Sequence, residues 1–124
     1  MNAETANLVK SVLDRVDAMD LDGFLAFLAD NARLRFGSAP AITGKEQIGQ
    51  SIGEFFGSIK ALRHKILHTL SDPQAIVCQG EVTYTRTNDT QVTIPFANIW
   101  TVQAGLITDY LIYIDLAPLF AEQG

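Results

Sequence analysis

Few side chains in this 124-residue sequence stand where they read as able to move a proton on a bound molecule or to bind a metal. Glu81 lies in Ile76 to Thr87, a run rich in β-branched residues that reads as a long strand. An unpaired carboxyl in a buried site has a raised pKa and can shuttle protons. One paired with Arg33 or Arg35 stays ionised and serves as an anchor. Alternation divides the strand into two faces. Val77, Gln79, Glu81, Thr83 and Thr85 read as the solvent face, and Ile76, Cys78, Gly80, Val82 and Tyr84 as the core face. On that pattern alone Glu81 is an exposed cross-strand carboxylate.

His64 and His68 fall in a second alternating run, Leu62, His64, Ile66, His68 and Leu70, expected on one strand face. Four residues along a strand span about 13 Å, so the two imidazoles cannot share an ion. With one cysteine and no third histidine, neither a metal site nor a cofactor is expected. His64 has two readings: an acid or base in a pocket, or an imidazole in the core or a subunit interface. Trp100, Tyr110 and Phe56 read as hydrophobic lining or ordinary core, and Trp100 and Tyr110 each add one polar handle for a ligand oxygen. Cys78 reads as a small buried hydrophobe. The sequence has no glycine-rich phosphate loop and no placeable Ser-His-Asp set.

The bulk composition narrows the classes. Hydrophobic residues make up 48% and charged residues 19%, a globular balance suited to one domain over 1–124. The net charge of -5 and scattered Lys and Arg exclude a basic nucleic-acid footprint. The densest group, Lys60 to Lys65, reads as a solvated helix-to-strand junction. A single cysteine rules out an internal disulfide and fits a reducing compartment. The first residues do not read as a signal peptide, and no apolar run is long enough to span a bilayer. A cytoplasmic location without a membrane partner is expected.

The elements that must position these residues come in two blocks. Val9, Val12, Leu13 and Val16 predict a helix over about residues 4–19. Asp20 is a candidate N-cap for a short second helix with Phe24, Leu25 and Leu28 as its stripe. Thr43-Gly44-Lys45-Glu46 reads as a capping box opening a third, with Ile48, Ile52, Phe55, Phe56 and Ile59 at helical spacing. A short strand, Ala32 to Phe36, separates the second and third helices. After residue 60 the period becomes two. Turns at Asp72-Pro73, Asn88-Asp89 and Gln103-Ala104-Gly105 divide a four-stranded antiparallel meander, with Pro95 marking an edge or bulge. Helices first and a meander after give a segregated α+β class. In the last strand Leu111 and Tyr113 face one way and Ile112 and Ile114 the other, so the sheet needs two covers. Helices supply one, and a second copy, pairing through the sheet as a homodimer, is the simplest other.

That order resembles the nuclear transport factor 2-like superfamily and its SnoaL-like domains, which also include ketosteroid isomerases, limonene-epoxide hydrolases and polyketide cyclases. The likeness is carried by Phe27-Leu28-Ala29-Asp30-Asn31-Ala32, Gly44-Lys45-Glu46-Gln47-Ile48, Gly80-Glu81-Val82-Thr83-Tyr84, Gly105-Leu106-Ile107-Thr108-Asp109-Tyr110 and Tyr113-Ile114-Asp115-Leu116-Ala117-Pro118-Leu119. It implies a cone-shaped fold, three helices packed on a strongly curved, mostly antiparallel sheet, with a pocket for a small, mostly apolar molecule. It turns the Glu81 face towards that pocket, against the reading from alternation. The resemblance implies Glu81 and His64 as acid/base candidates, and Arg33, Arg35, Phe56, Thr83, Asn98, Trp100, Tyr110, Ile112 and Ile114 as ligand contacts. Ungapped matching puts Glu81, Thr83 and Ile112 where the epoxide hydrolases carry Arg, Asp and Asp, so that chemistry is not expected. The isomerase base falls near Arg35 to Ser38, where no carboxylate stands, and the oxyanion donor near Ala97 or Asn98. What remains is isomerase, cyclase or dehydratase chemistry of another design, or a non-catalytic binding or dimeric interaction module.

Overall fold

The computed structural model describes residues 3–121. Helix α1 (Ala3–Asp17) buries Val9, Val12 and Leu13, the stripe that its spacing demands. Helix α2 (Leu21–Leu25) is capped by Asp20, whose carboxylate accepts the Gly23 N–H at 3.0 Å. Strand β1 (Leu28–Phe36) begins earlier than expected. Leu28 opens it, fully buried, instead of extending the helical stripe. Strand β2 (Ile42–Thr43) and helix α3 (Lys45–Gly57) follow. The remaining strands are β3 (Ala61–Ser71), β4 (Ala75–Thr85), β5 (Gln91–Gln103) and β6 (Leu106–Ile114), and a final turn of helix, α4 (Ala117–Phe120), closes the described chain.

The expected capping box does not form. Thr43 pairs with Arg33 in the β1–β2 ladder, and Gly44, at φ 99°, is the N-cap with no side-chain hydrogen bond. The Gly44 N–H instead donates to the Ala32 carbonyl at 2.8 Å. Sheet pairing claims the backbone that a cap would have used, and only glycine adopts that conformation without strain.

All six strands form one sheet in the order β2-β1-β6-β5-β4-β3. Every neighbouring pair is antiparallel except β1 and β6, which run parallel. Register shifts at Thr101/Val102 and Ile66/His68 bend the sheet, because a bulge increases local twist. The helices pack against its inner face. There Ala32, Leu34, Ile76, Cys78, Val82 and Ile94 are buried with Val12 and Ile48. Pro95 sits inside β5, yet the β5–β6 pairing ends at Phe96↔Ile114. Pro95 therefore lies beyond the reach of β6, at a local edge of the sheet.

The bulge in β3 changes which residues face inward. Ile66 pairs with Gly80 and His68 with Gln79, leaving Leu67 as the extra residue. Leu62, His64 and Ile66 keep the inner face. His68 and Leu70 do not; both are exposed, and Thr69 takes the inner position opposite Cys78. One extra residue reverses the parity of everything after it. The bulge also presses the Lys65 carbonyl onto Gly80, where a Cβ would lie 1.9 Å from that oxygen.

Helix α4 is tied down by Arg86. Its guanidinium donates to the carbonyls of Leu119 at 2.9 Å and Pro118 at 2.8 Å, and to Thr90 Oγ1 at 3.1 Å. That clamp holds Leu119 in the core. Asp115, just before the N-cap Leu116, accepts the Ala117 N–H at 3.0 Å. No helix among the described residues is long and apolar enough to cross a membrane.

Candidate functional site

The last turn of α1 meets β3 at a carboxylate–imidazole pair. Asp17 Oδ1 stands 2.6 Å from His64 Nδ1, and Asp17 Oδ2 accepts the His64 backbone N–H at 2.9 Å. One carboxylate thus holds both the ring and the strand beneath it. Accepting from Nδ1 fixes the tautomer with hydrogen on that nitrogen and leaves Nε2 free to take a proton. The imidazole is 10% exposed and the carboxylate 23%. The edge of the ring packs against Phe96, with ring centroids 5.0 Å apart. Its orientation is therefore set from two sides.

His64 lines an inner cavity of about 40 Å³ between the helices and the sheet. Phe24, Ile52, Phe55 and Phe56 wall the helical side, and Leu62 and Ile112 part of the sheet side. The polar groups at its wall are His64, Tyr84, Asn98 and Tyr110. Phe55 is locked by edge contacts with Phe36 and Tyr84, at centroid separations of 4.8 and 5.7 Å. Phe56, half-buried, has no aromatic partner among the described residues. About 40 Å³ exceeds what one water needs but falls well short of the roughly 150 Å³ of a cavity that takes benzene.

Burial dominates the electrostatics around this cavity. It pushes the Tyr110 and Tyr84 hydroxyls well above the usual phenol range, and the negative charge of Asp17 adds to the effect on both. Burial also raises the Cys78 thiol to about 11, a shift opposed by hydrogen bonding from Asn98. Trp100 packs on Tyr110 with centroids 5.1 Å apart, a contact that opposes the rise of the Tyr110 hydroxyl, and its buried Nε1 makes no hydrogen bond of ordinary geometry. Asn98 Oδ1 is the other buried side-chain polar atom among the described residues that lacks a partner.

A family model of the SnoaL-like domain matches residues 9–110. The chain belongs to the SnoaL-like domain family. Solved structures agree on the fold. An NTF2-like protein of unknown function from Burkholderia pseudomallei is 19% identical, covers 95% of each chain and superposes with a TM-score of 0.84. An LEH-like epoxide hydrolase from M. tuberculosis is 20% identical over 94% of this chain and 86% of its own, with a TM-score of 0.79. A protein of ketosteroid isomerase-like fold from Catenulispora acidiphila, crystallised with trimethylamine, is 14% identical over 94% and 89%, with a TM-score of 0.82. At such identities the likeness is one of fold. Curated proteins give no match to the sequence.

Within this SnoaL-like chain, the fold gathers five of the expected site residues round one cavity: Phe56, His64, Asn98, Tyr110 and Ile112. Trp100 stands behind Tyr110. Ile114 lies further along β6, in a separate groove with Phe36 and Phe120. The other four are on the outer face of the sheet. Glu81 is exposed there, which corrects the pocket-facing placement that resemblance implied and agrees with the alternation of β4. Thr83 is on the same face, its hydroxyl 2.9 Å from that of Thr93. Arg33 donates to Asp109 at 3.0 Å, and Arg35 lines an outer groove with Leu111 and Tyr113. Neither arginine reaches Glu81 or the cavity. Glu81, Thr83 and Ile112 consequently share no site.

Two residues of the site were not singled out from sequence, Asp17 and Tyr84. A signal for Asp17 existed. It falls four residues after Leu13, on the flank of the buried stripe of α1, and a carboxylate there needs a partner. Tyr84 reads from sequence as core, and the structure places it at the cavity wall.

Proposed function

We propose that this chain binds a small, mostly apolar molecule in the inner cavity and moves a proton on it through His64. The observation that carries the reading is the 2.6 Å Asp17–His64 contact at the wall of an otherwise apolar space. Asp17 orients the ring and stabilises the imidazolium that forms when Nε2 accepts a proton. Tyr84 and Tyr110, kept neutral by burial, are hydroxyl donors for an oxygen that gains charge. This is acid/base chemistry of the isomerase, cyclase or dehydratase kind, with His64 in place of the expected Glu81. A ring-sized ligand needs more room than the cavity offers, so binding one requires wall side chains to move, and Phe56, half-buried and without a ring partner among the described residues, is the one we expect to do so.

The test is deuterium exchange at the α-carbon of small cyclic ketones in D₂O, with and without a ring hydroxyl, followed by NMR. The native chain should accelerate exchange of at least one of them. His64→Gln should lower that rate by about 10²–10⁴-fold, the usual weight of a positioned base, and Asp17→Asn by a smaller factor through the tautomer. The small size of the cavity favours, as a second reading, a binding module without catalysis. Ligand binding with no accelerated exchange would support that module and sink the catalytic proposal.

A further inference from the structure

Asn98 sits on β5 with its side chain at the cavity wall, and the residue is 2% exposed. Its amide contacts the Cys78 thiol, across the β4–β5 ladder. Asn98 opposes the rise of the thiol, as an amide N–H donated to sulfur would, while Oδ1 has no hydrogen-bond partner. The amide oxygen is thus a buried acceptor beside the cavity that no donor among the described residues satisfies. Buried polar atoms are normally paired, and such an atom at the wall of a cavity marks where a ligand group completes the site.

We propose that the cavity selects a ligand bearing a hydroxyl group, which donates to Asn98 Oδ1. This rests on the binding reading above and names the ligand class. A hydroxyl both donates and accepts, so it can satisfy Asn98 and take a hydrogen bond from the Tyr110 or Tyr84 hydroxyl at the same wall. A carbonyl oxygen or an ether only accepts. Placed against Asn98 it would leave Oδ1 unpaired and set two partial negative charges together. An enolate there would be repelled more strongly, so Asn98 reads the hydroxyl and does not stabilise developing negative charge. That reverses the donor role that the resemblance implies for this position.

The experiment compares phenol, anisole and toluene as probes, with dissociation constants taken from NMR titration of the native chain. The three share a ring, and only phenol donates a hydrogen bond. Phenol should bind at least about tenfold more tightly than either, although hydrophobicity alone ranks toluene first. In Asn98→Leu the order should revert, with toluene binding at least as well as phenol. Equal or tighter binding of anisole or toluene to the native chain would overturn the role of Asn98 and leave the cavity intact. Failure of all three to bind would overturn this proposal together with the reading beneath it. The native ranking decides the matter even where Asn98→Leu does not fold.

Discussion

Replacing Gly80 by alanine should destabilise the domain by about 2–4 kcal/mol, at or above the usual range for overpacking a core. The added Cβ would stand 1.9 Å from the Lys65 carbonyl oxygen and 3.1 Å from the Ile66 Cα. Both neighbours are backbone, so no side chain can rotate away. Relief requires β3 to shift, and β3 carries His64 immediately before the bulge. The mutation should therefore also loosen the Asp17–His64 contact. Urea unfolding of Gly80→Ala measures the first effect, and the His64 imidazole resonances report the second. Gly57→Ala is the control. A Cβ at Gly57 meets nothing within 4 Å, and that residue ends α3, so alanine there should be neutral or stabilising by up to about 1 kcal/mol. Equal stability of the two variants would remove the close approach at Gly80 as a feature of the fold.

The second large effect is a steep loss of stability in alkali. Cys78, Tyr84 and Tyr110 are all buried as neutral acids, and burial raises each in the folded state. In the unfolded chain the thiol ionises near 9.0 and the phenols near 10.0. A raised folded pKa means that the unfolded state loses its proton first. The stabilisation is complete below pH 9 and disappears as pH rises through the folded values. For Cys78 alone, moving from 9.0 to about 11 amounts to about 2–3 kcal/mol. Above pH 10 the two tyrosines add to the slope, about 1.4 kcal/mol per pH unit for each group still protonated only in the folded state. A domain of ordinary stability, about 5–15 kcal/mol, should unfold cooperatively near pH 11–12. Circular dichroism and tyrosinate absorbance would be followed together on raising pH. Loss of structure should coincide with ionisation of the buried tyrosines, and Cys78→Ala with Tyr84→Phe should flatten the curve. Tyrosinate from Tyr84 and Tyr110 appearing in a chain that keeps its native circular dichroism would refute the account.

Most of the fold was legible because hydrophobic spacing records which face is buried. The stripe of α1, the capping aspartate of α2 and the four-stranded meander stand where alternation and turn residues put them. Three features were not legible, for distinct reasons. The bulge at Leu67 carries no signal in a run of alternating residues, so His68 and Leu70 were assigned to a face they do not share with His64. Thr43 obeys the local rule for a cap, but pairing with Arg33 gives its backbone a competing partner from another element. The site itself was half visible. His64, Asn98 and Tyr110 were named as polar residues on core-facing strands. The resemblance misplaces Glu81, whereas the alternation of β4 gives its face correctly. Asp17 was missed because pairing it with His64 joins residues 47 positions apart, and no local pattern encodes that contact.

The parallel seam between β1 and β6 bears on how the chain acquires its shape over time. Arg33 and Asp109, joined across that seam, are 76 residues apart in sequence, whereas Thr85 and Gln91 at the β4–β5 turn are six apart. Closing the longer loop costs about 2 kcal/mol more chain entropy. During synthesis β1 emerges early and has only the two-residue β2 to pair with until β6 follows it. The meander should form first, and the seam last, at a rate limited by that long closure. Pulse-labelling hydrogen exchange during refolding should protect β4 and β5 amides before those of β1. Until the seam closes, Phe36 of β1 does not stand beside Tyr110 and Ile112 of β6 in the cavity wall, so the cavity is among the last parts of the molecule to exist.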